Sequence, residues 1–172
     1  MSLATDDLIS AIAEADANMG IVLDNEPKYV WKRGRKSYQN TITGIAVGSS
    51  DSEASGMARA LSAMLVHEGE NVQVHNLIES GETPISILSR TLKGYDILDL
   101  TGASLTQVLY YVNLGNPVYA YTGDDTAVLI VGYDAANIIY FDPMTNTNSK
   151  MGLSDAQEYF ETYGNVFVSY IN

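Results

Sequence analysis

Two histidines, a run of serines and a scatter of aspartates are the residues from which hydrolytic chemistry could be assembled in this 172-residue chain, which has no cysteine. A serine hydroxyl attacks a carbonyl only when a base stands within hydrogen-bond reach of it. Ser55 opens an apolar run, His67 and His75 are the candidate bases, and Asp142 could orient one of them. If Ser55 and His67 share a helix, the twelve positions between them span about 18 Å at a rise of about 1.5 Å per residue, which removes His67 as a partner. What is left is a triad on paper, Ser55, His75 and Asp142. The lack of cysteine excludes disulfides, thiolate metal sites and a thiol nucleophile together. Asp124, Asp125, Asp134 and Asp142 surround strand ends but are spaced too widely for a calcium loop, and no phosphate-binding glycine loop occurs. These carboxylates read as solvated turn residues, and neither a metal nor a cofactor is expected.

The elements that must position these groups centre on residues 117–143, PVYAYTGDDTAVLIVGYDAANIIYFDP. Residues 118–121, 127–133 and 138–141 read as three strands, with turns at Gly123, Asp124 and Asp125 and at residues 134–137. The run 127–131 has no polar residue on either alternate face, so it belongs near the centre of a sheet with helices packed over it. Upstream, residues 41–47 alternate like a strand. A helix is expected over 53–68, stopped by Gly69, with an apolar stripe of Met57, Leu61, Met64 and Leu65. A short strand over 72–74 precedes His75. Thr83 and Pro84 start a helix to residue 92, residues 95–100 make a strand, and Ser104 with Gln107 forms a capping box for a helix that ends before Gly115. Ser154 and Gln157 repeat the box ahead of a helix over 155–163, and residues 166–171 close the chain as a strand. At the other end, Thr5 caps an amphipathic helix over 6–18. Residues 21–23 and 29–31 read as a hairpin around the turn 24–27, with Trp31 as its packing anchor. The organisation expected is an annex over 1–48 and a main domain over 49–172, together one compact unit.

The order strand, AVLIVGYD, turn, strand, DP resembles the C-terminal half of papain-like cysteine peptidases, nearest the bacteriocin-processing (double-glycine) peptidase branch. The tail GLSDAQEYFETYGNVFVSYI resembles the same family's closing helix and strand, and the likeness covers roughly residues 50–172. It implies an α+β papain-like fold, an antiparallel sheet packed against helices, one of them a long helix in the N-terminal half. In that family the cysteine stands at the N-terminus of the long helix, where the helix dipole and free N–H groups favour a thiolate and help bind the oxyanion. The histidine directly precedes the apolar strand, in a pattern like H-A-V-x-I-V-G-Y, and an Asp or Asn before a proline orients it. Carried over, the cysteine falls at Gly56, or at Ser55 with a one-residue slip. The histidine falls at Thr126 and the orienting residue at Asp142, while Gly48, Ser49, Ser50 and Asp51 hold the ground of the oxyanion glutamine. The resemblance thus implies a catalytically degenerate domain whose positions Ser55, Gly56, Thr126 and Asp142 meet across a groove. Asp142 keeps a local task, accepting N–H groups in the turn before Met144.

Three functions fit this reading. The first is a non-catalytic module of a larger bacterial protein that holds an extended peptide or a glycan in the former cleft, with some of its twelve tyrosines as amphipathic contacts. The second is a hydrolase using Ser55 with an unidentified base, and the third a structural spacer. The net charge of −12 argues against nucleic acid as a partner. The cluster Lys28, Lys32, Arg33, Arg35 and Lys36 reads as a solvated, charge-protected edge. No apolar run approaches the length that crosses a bilayer. The first twenty residues are acidic and amphipathic, the wrong chemistry for a signal peptide. By analogy alone, an acidic cysteine-free domain of this kind suits the outside of a Gram-positive bacterium.

Overall fold

The computed structural model describes residues 21–23, 29–32 and 40–172. The expected helix over 6–18, the turn 24–27, and the side chains of Trp31 and of the basic cluster Lys28, Lys32, Arg33, Arg35 and Lys36 lie outside what is described. Within them, β1 (Ile21–Leu23) and β2 (Tyr29–Lys32) pair antiparallel, the hairpin that the sequence suggests.

One mixed α+β body follows. Its sheet runs in the order β4 (Asp96–Asp99), β9 (Phe167–Ile171), β5 (Val118–Tyr121), β6 (Ala127–Tyr133), β7 (Asn137–Asp142), β8 (Thr147–Gly152), every neighbouring pair antiparallel. The short β3 (Asn40–Thr41) pairs with Gly132 and Tyr133, beyond the part of β6 that β5 covers. Six of the seven residues of β6 are buried, so both of its faces are covered, as its unbroken apolar run requires. Helix α1 (Gly56–His67) packs on β6 and β5, and α4 (Leu105–Asn113) packs on β6, β9, β5 and β3. Ala58, Ala60, Leu61, Ala63, Met64 and Leu65 of α1 are all out of water, so this helix forms the centre of the core.

Local chemistry explains most starts and stops. Thr83 and Ser86 cap α3 (Pro84–Thr91) reciprocally, and Ser104 and Gln107 do the same for α4. Four expectations need correction. Pairing at the strand expected over 41–47 stops after the Ile42 N–H meets the Val131 carbonyl at 2.7 Å, because Gly44 turns the chain at φ +77. Helix α1 begins at Gly56 and not at Glu53, since Ser49–Asp51 form a 3-10 turn and Ser55 is the cap. The strand expected over 72–74 is absent. Val74 instead starts helix α2 (Val74–Glu79), whose first N–H groups, of Val74 and His75, donate to the buried Asp51 carboxylate at 3.2 and 2.9 Å. Finally, α5 (Leu153–Thr162) starts directly from β8 at Gly152 with no side-chain cap. The Leu153 N–H is held by the Ala136 carbonyl at 3.0 Å, and the Gln157 amide goes to Glu161.

Candidate functional site

Helix α1 points its N-terminus at the turn between β5 and β6. Ser55 is its cap: the hydroxyl oxygen accepts the Ala58 N–H at 3.3 Å, and the Ser55 carbonyl accepts the Arg59 N–H at 2.9 Å. The Met57 N–H donates to the Asp125 carbonyl at 2.9 Å, which ties the helix start to the turn through main chain alone. Gly56 lets the two meet. A Cβ built on it would lie 3.1 Å from Thr126 Cα and 3.5 Å from the Ala127 nitrogen, so any side chain there would press on backbone. The N–H groups of Met57 and Ala58, which a helix start offers to an anion, are therefore already bonded.

The turn itself is unusual. Gly123, Asp124 and Asp125 take φ of +86, +47 and +57, three left-handed residues in succession of which two carry side chains. Asp tolerates this region better than most residues, though each such conformation costs about 1 kcal/mol or more. Bonds on all sides hold it in place. The Thr126 hydroxyl donates to the Gly123 carbonyl and lies 2.8 Å from the Thr122 hydroxyl. The Tyr163 ring sits on Gly123, where a Cβ would come within 2.7 Å of it. Tyr119, below the turn on β5, is buried with its hydroxyl unpartnered among the described residues, and burial, then Tyr121 and Asp125, raises its pKa.

Asp142 ends β7, and its carboxylate accepts the Met144 N–H at 2.9 Å, the local task expected of it. In the same turn, Asn146 takes φ +56, and its side-chain oxygen accepts the Val47 N–H at 3.1 Å. On α5, burial first, and then Tyr163, Tyr140 and Asp142, raise the pKa of the Tyr159 phenol. Of the predicted site positions, Gly56 and Thr126 are in direct contact and Ser55 stands beside them as a cap, whereas the bond of the Asp142 carboxylate is to its own turn, at the Met144 N–H. The histidines are engaged elsewhere. The His67 Nε2 lies 4.0 Å from Glu68 at the far end of α1, and the His75 Nε2 lies 3.3 Å from Glu79 on its own helix. The hydroxyl of Ser55 thus has no imidazole among its hydrogen-bond partners in the described residues.

Thr122, Tyr159, Tyr163 and Met144 were not singled out from the sequence. The four-residue spacing of the two tyrosines on α5, and the reuse of threonine at 122 and 126, were the available signals.

No protein-family model matches the chain, and no curated protein sequence matches it. Among solved structures, the chain is similar to the crystal structure of a candidate C39-like peptidase from Bacillus anthracis. The TM-score is 0.63 at 15% identity, over 78% of this chain and 98% of that one. The likeness extends to the architecture, and the fold is that of the C39-like, papain-like peptidases.

Proposed function

We propose that this papain-like domain carries out no peptide-bond chemistry and works as a binding module of a larger bacterial protein, its ligand an extended peptide or a glycan at the former cleft. The observation that carries this reading is the closed contact at the start of α1, where Gly56 lies against Thr126 and the Met57 N–H is bonded to Asp125. Aligned by the resemblance, Gly56 takes the place of the nucleophile and Thr126 that of the base. Glycine supplies no attacking atom and threonine no basic nitrogen. An oxyanion needs donors that are free and aimed at it, and here the N–H groups of Met57 and Ala58 are bonded within the chain. Ser55 keeps a hydroxyl beside this point, but its oxygen caps the helix and its candidate bases are paired with glutamates.

A fluorophosphonate probe tests this, because it labels only activated serines. The expected result is no adduct after prolonged incubation at neutral pH, as judged by intact mass. An adduct mapped to Ser55 and lost in Ser55→Ala would overturn the proposal in favour of a serine hydrolase.

A further inference from the structure

A groove of about 340 Å³ lies where the chain leaves α1, lined by the loop residues Val47, Gly48 and Ser49 and by Val66, Gly69, Glu70 and Asn71. Val66 stands ten positions after Gly56, about 15 Å along the helix axis, so this is a different place from the contact of α1 with the turn at Thr126. Its volume falls within the range of small-molecule sites, about 300–1,000 Å³. Main chain fixes its walls. The Gly48 N–H donates to the Ser62 hydroxyl at 3.1 Å, and a Cβ on Gly48 would fall 2.8 Å from that oxygen, 3.2 Å from Val66 Cγ2 and 4.0 Å from Asn71 Oδ1. Glycine thus lets the loop come down on the helix, beside the Asn71 amide. The Val47 N–H is held by Asn146 Oδ1 at 3.1 Å. The Gly69 N–H returns to the Val66 carbonyl at 3.0 Å and the Glu70 N–H to the Leu65 carbonyl at 2.9 Å, which closes the helix end. A Cβ on Gly69 would meet nothing within 4 Å, so the groove stays open on that side.

Charge and shape decide what fits it. No Lys, Arg or His lines the groove, and its one charged side chain, Glu70, stands at the negative end of the α1 dipole. Ser49, Glu70 and Asn71 have no side-chain bond to another described residue, so their hydrogen-bonding capacity is left for a ligand. Val47 and Val66 supply aliphatic walls. We infer that this groove binds a primary alkylammonium group of the size of a lysine side chain. The methylene stem lies against Val47 and Val66, and the ammonium donates to the Glu70 carboxylate and Asn71 Oδ1. An anion would meet Glu70 and the helix-end carbonyls with no cation to hold it. The inference does not depend on the binding-module reading of the former cleft.

The test uses the full chain and N-acetyl-lysine methylamide as probe, titrated to about 20 mM to cover weak small-molecule binding and followed by proton–nitrogen NMR at neutral pH and low salt. Saturable shifts are expected at the Gly48 and Gly69 amides and at the Asn71 side-chain amide. N-acetyl-norleucine methylamide has the stem without the ammonium and is expected to bind about tenfold more weakly, the scale of a lost charged contact. Glu70→Gln should weaken the lysine probe about fivefold and Asn71→Ala about threefold, as for an exposed ion pair and a hydrogen bond. Glu79→Gln makes the same change in net charge on α2 and should stay within about twofold of the parent, as screened long-range attraction allows. n-Butylamine identifies the source: equal affinity assigns the groove to free amines, weaker binding to lysine within a peptide. Shifts that fail to saturate or that miss both glycines, equal binding of the norleucine probe, or equal losses in Glu70→Gln and Glu79→Gln would each overturn the inference. The fluorophosphonate result concerns the other end of α1 and leaves this one standing or falling on its own titration.

Discussion

The two ends of helix α1 are held by opposite means. At its start the helix meets the turn through main chain, Gly56 on Thr126 and the Met57 N–H on the Asp125 carbonyl, with the Ser55 and Thr126 hydroxyls bonded locally on either side. At its finish the contacts are side chains. The Glu68 carboxylate accepts the hydroxyls of Tyr95 and Tyr170, each at 2.7 Å, and the two rings meet edge to face at 5.4 Å. The first arrangement resists added volume at Gly56. The second tolerates little loss of polar atoms, because Tyr170 is fully buried and has nowhere else to donate. The start of the helix is therefore sensitive to added volume at Gly56, and its finish to lost polar atoms at Glu68.

The largest expected effect falls at the finish. Glu68→Leu removes the acceptor from two hydroxyls, one of them fully buried, and should cost about 3 kcal/mol at the usual penalty for orphaned donors. Glu68→Gln keeps one oxygen as acceptor and should cost about 1 kcal/mol. Urea melts of the two variants measure both. If Glu68→Leu proved as stable as the parent, the finish would be held by packing alone and the contrast between the ends would disappear.

Next comes the start. Gly56→Ala adds one methyl against a backbone that is pinned by the Thr126 bonds, so it should cost about 2 kcal/mol, within the range for overpacking. Glycine to alanine in an open helix position normally stabilises by about 1 kcal/mol, so the sign of the change is the test. A stabilised Gly56→Ala would show that the turn can retreat and that the cleft is not closed by this contact.

How much of this the sequence disclosed depends on distance along the chain. The strands 118–121 and 127–133 were legible because both alternate faces of the second are apolar, and α4 was legible because Ser104 and Gln107 cap it within one turn. The start of α2 was not, because its cap, Asp51, comes from 23 residues upstream. Strand β8, TNSKMG, shows no apolar alternation, being an exposed edge held by its ladder to β7. At residues 154–157 a valid capping pattern was overridden, since the chain enters α5 straight from that edge strand. The contact of Gly56 with Thr126 followed from motif order, whereas the part played by Tyr163 did not. On an amphipathic helix with Phe160 and Ala156 facing the core, nothing local says which tyrosine will lean on a turn some forty residues back.

The smallest effect separates the two ends by pH. Burial, and then the bond to Glu68, raises the pKa of Tyr170 far above its ordinary value, and Tyr95 moves the same way through its own bond to Glu68. A group whose pKa is higher in the folded state contributes stability that is fully present below its unfolded pKa, here about 10, and is lost as pH rises beyond it. The finish of α1 should therefore loosen in alkali, because an ionised Tyr170 would be a buried phenolate beside a carboxylate. At the start the bonds of helix and turn are made by amides and threonine hydroxyls, which do not titrate there, although the buried Tyr119 phenol beneath the turn is also raised by burial. Tyr170→Phe should begin less stable than the parent at about pH 8 yet lose less stability on the way to about pH 11, by the same linkage. Thr126→Val should leave that slope as it is. Parallel slopes for the parent and Tyr170→Phe would mean that the hydroxyl reaches water before the helix end opens, and that the finish is no more dependent on its polar atoms than the start.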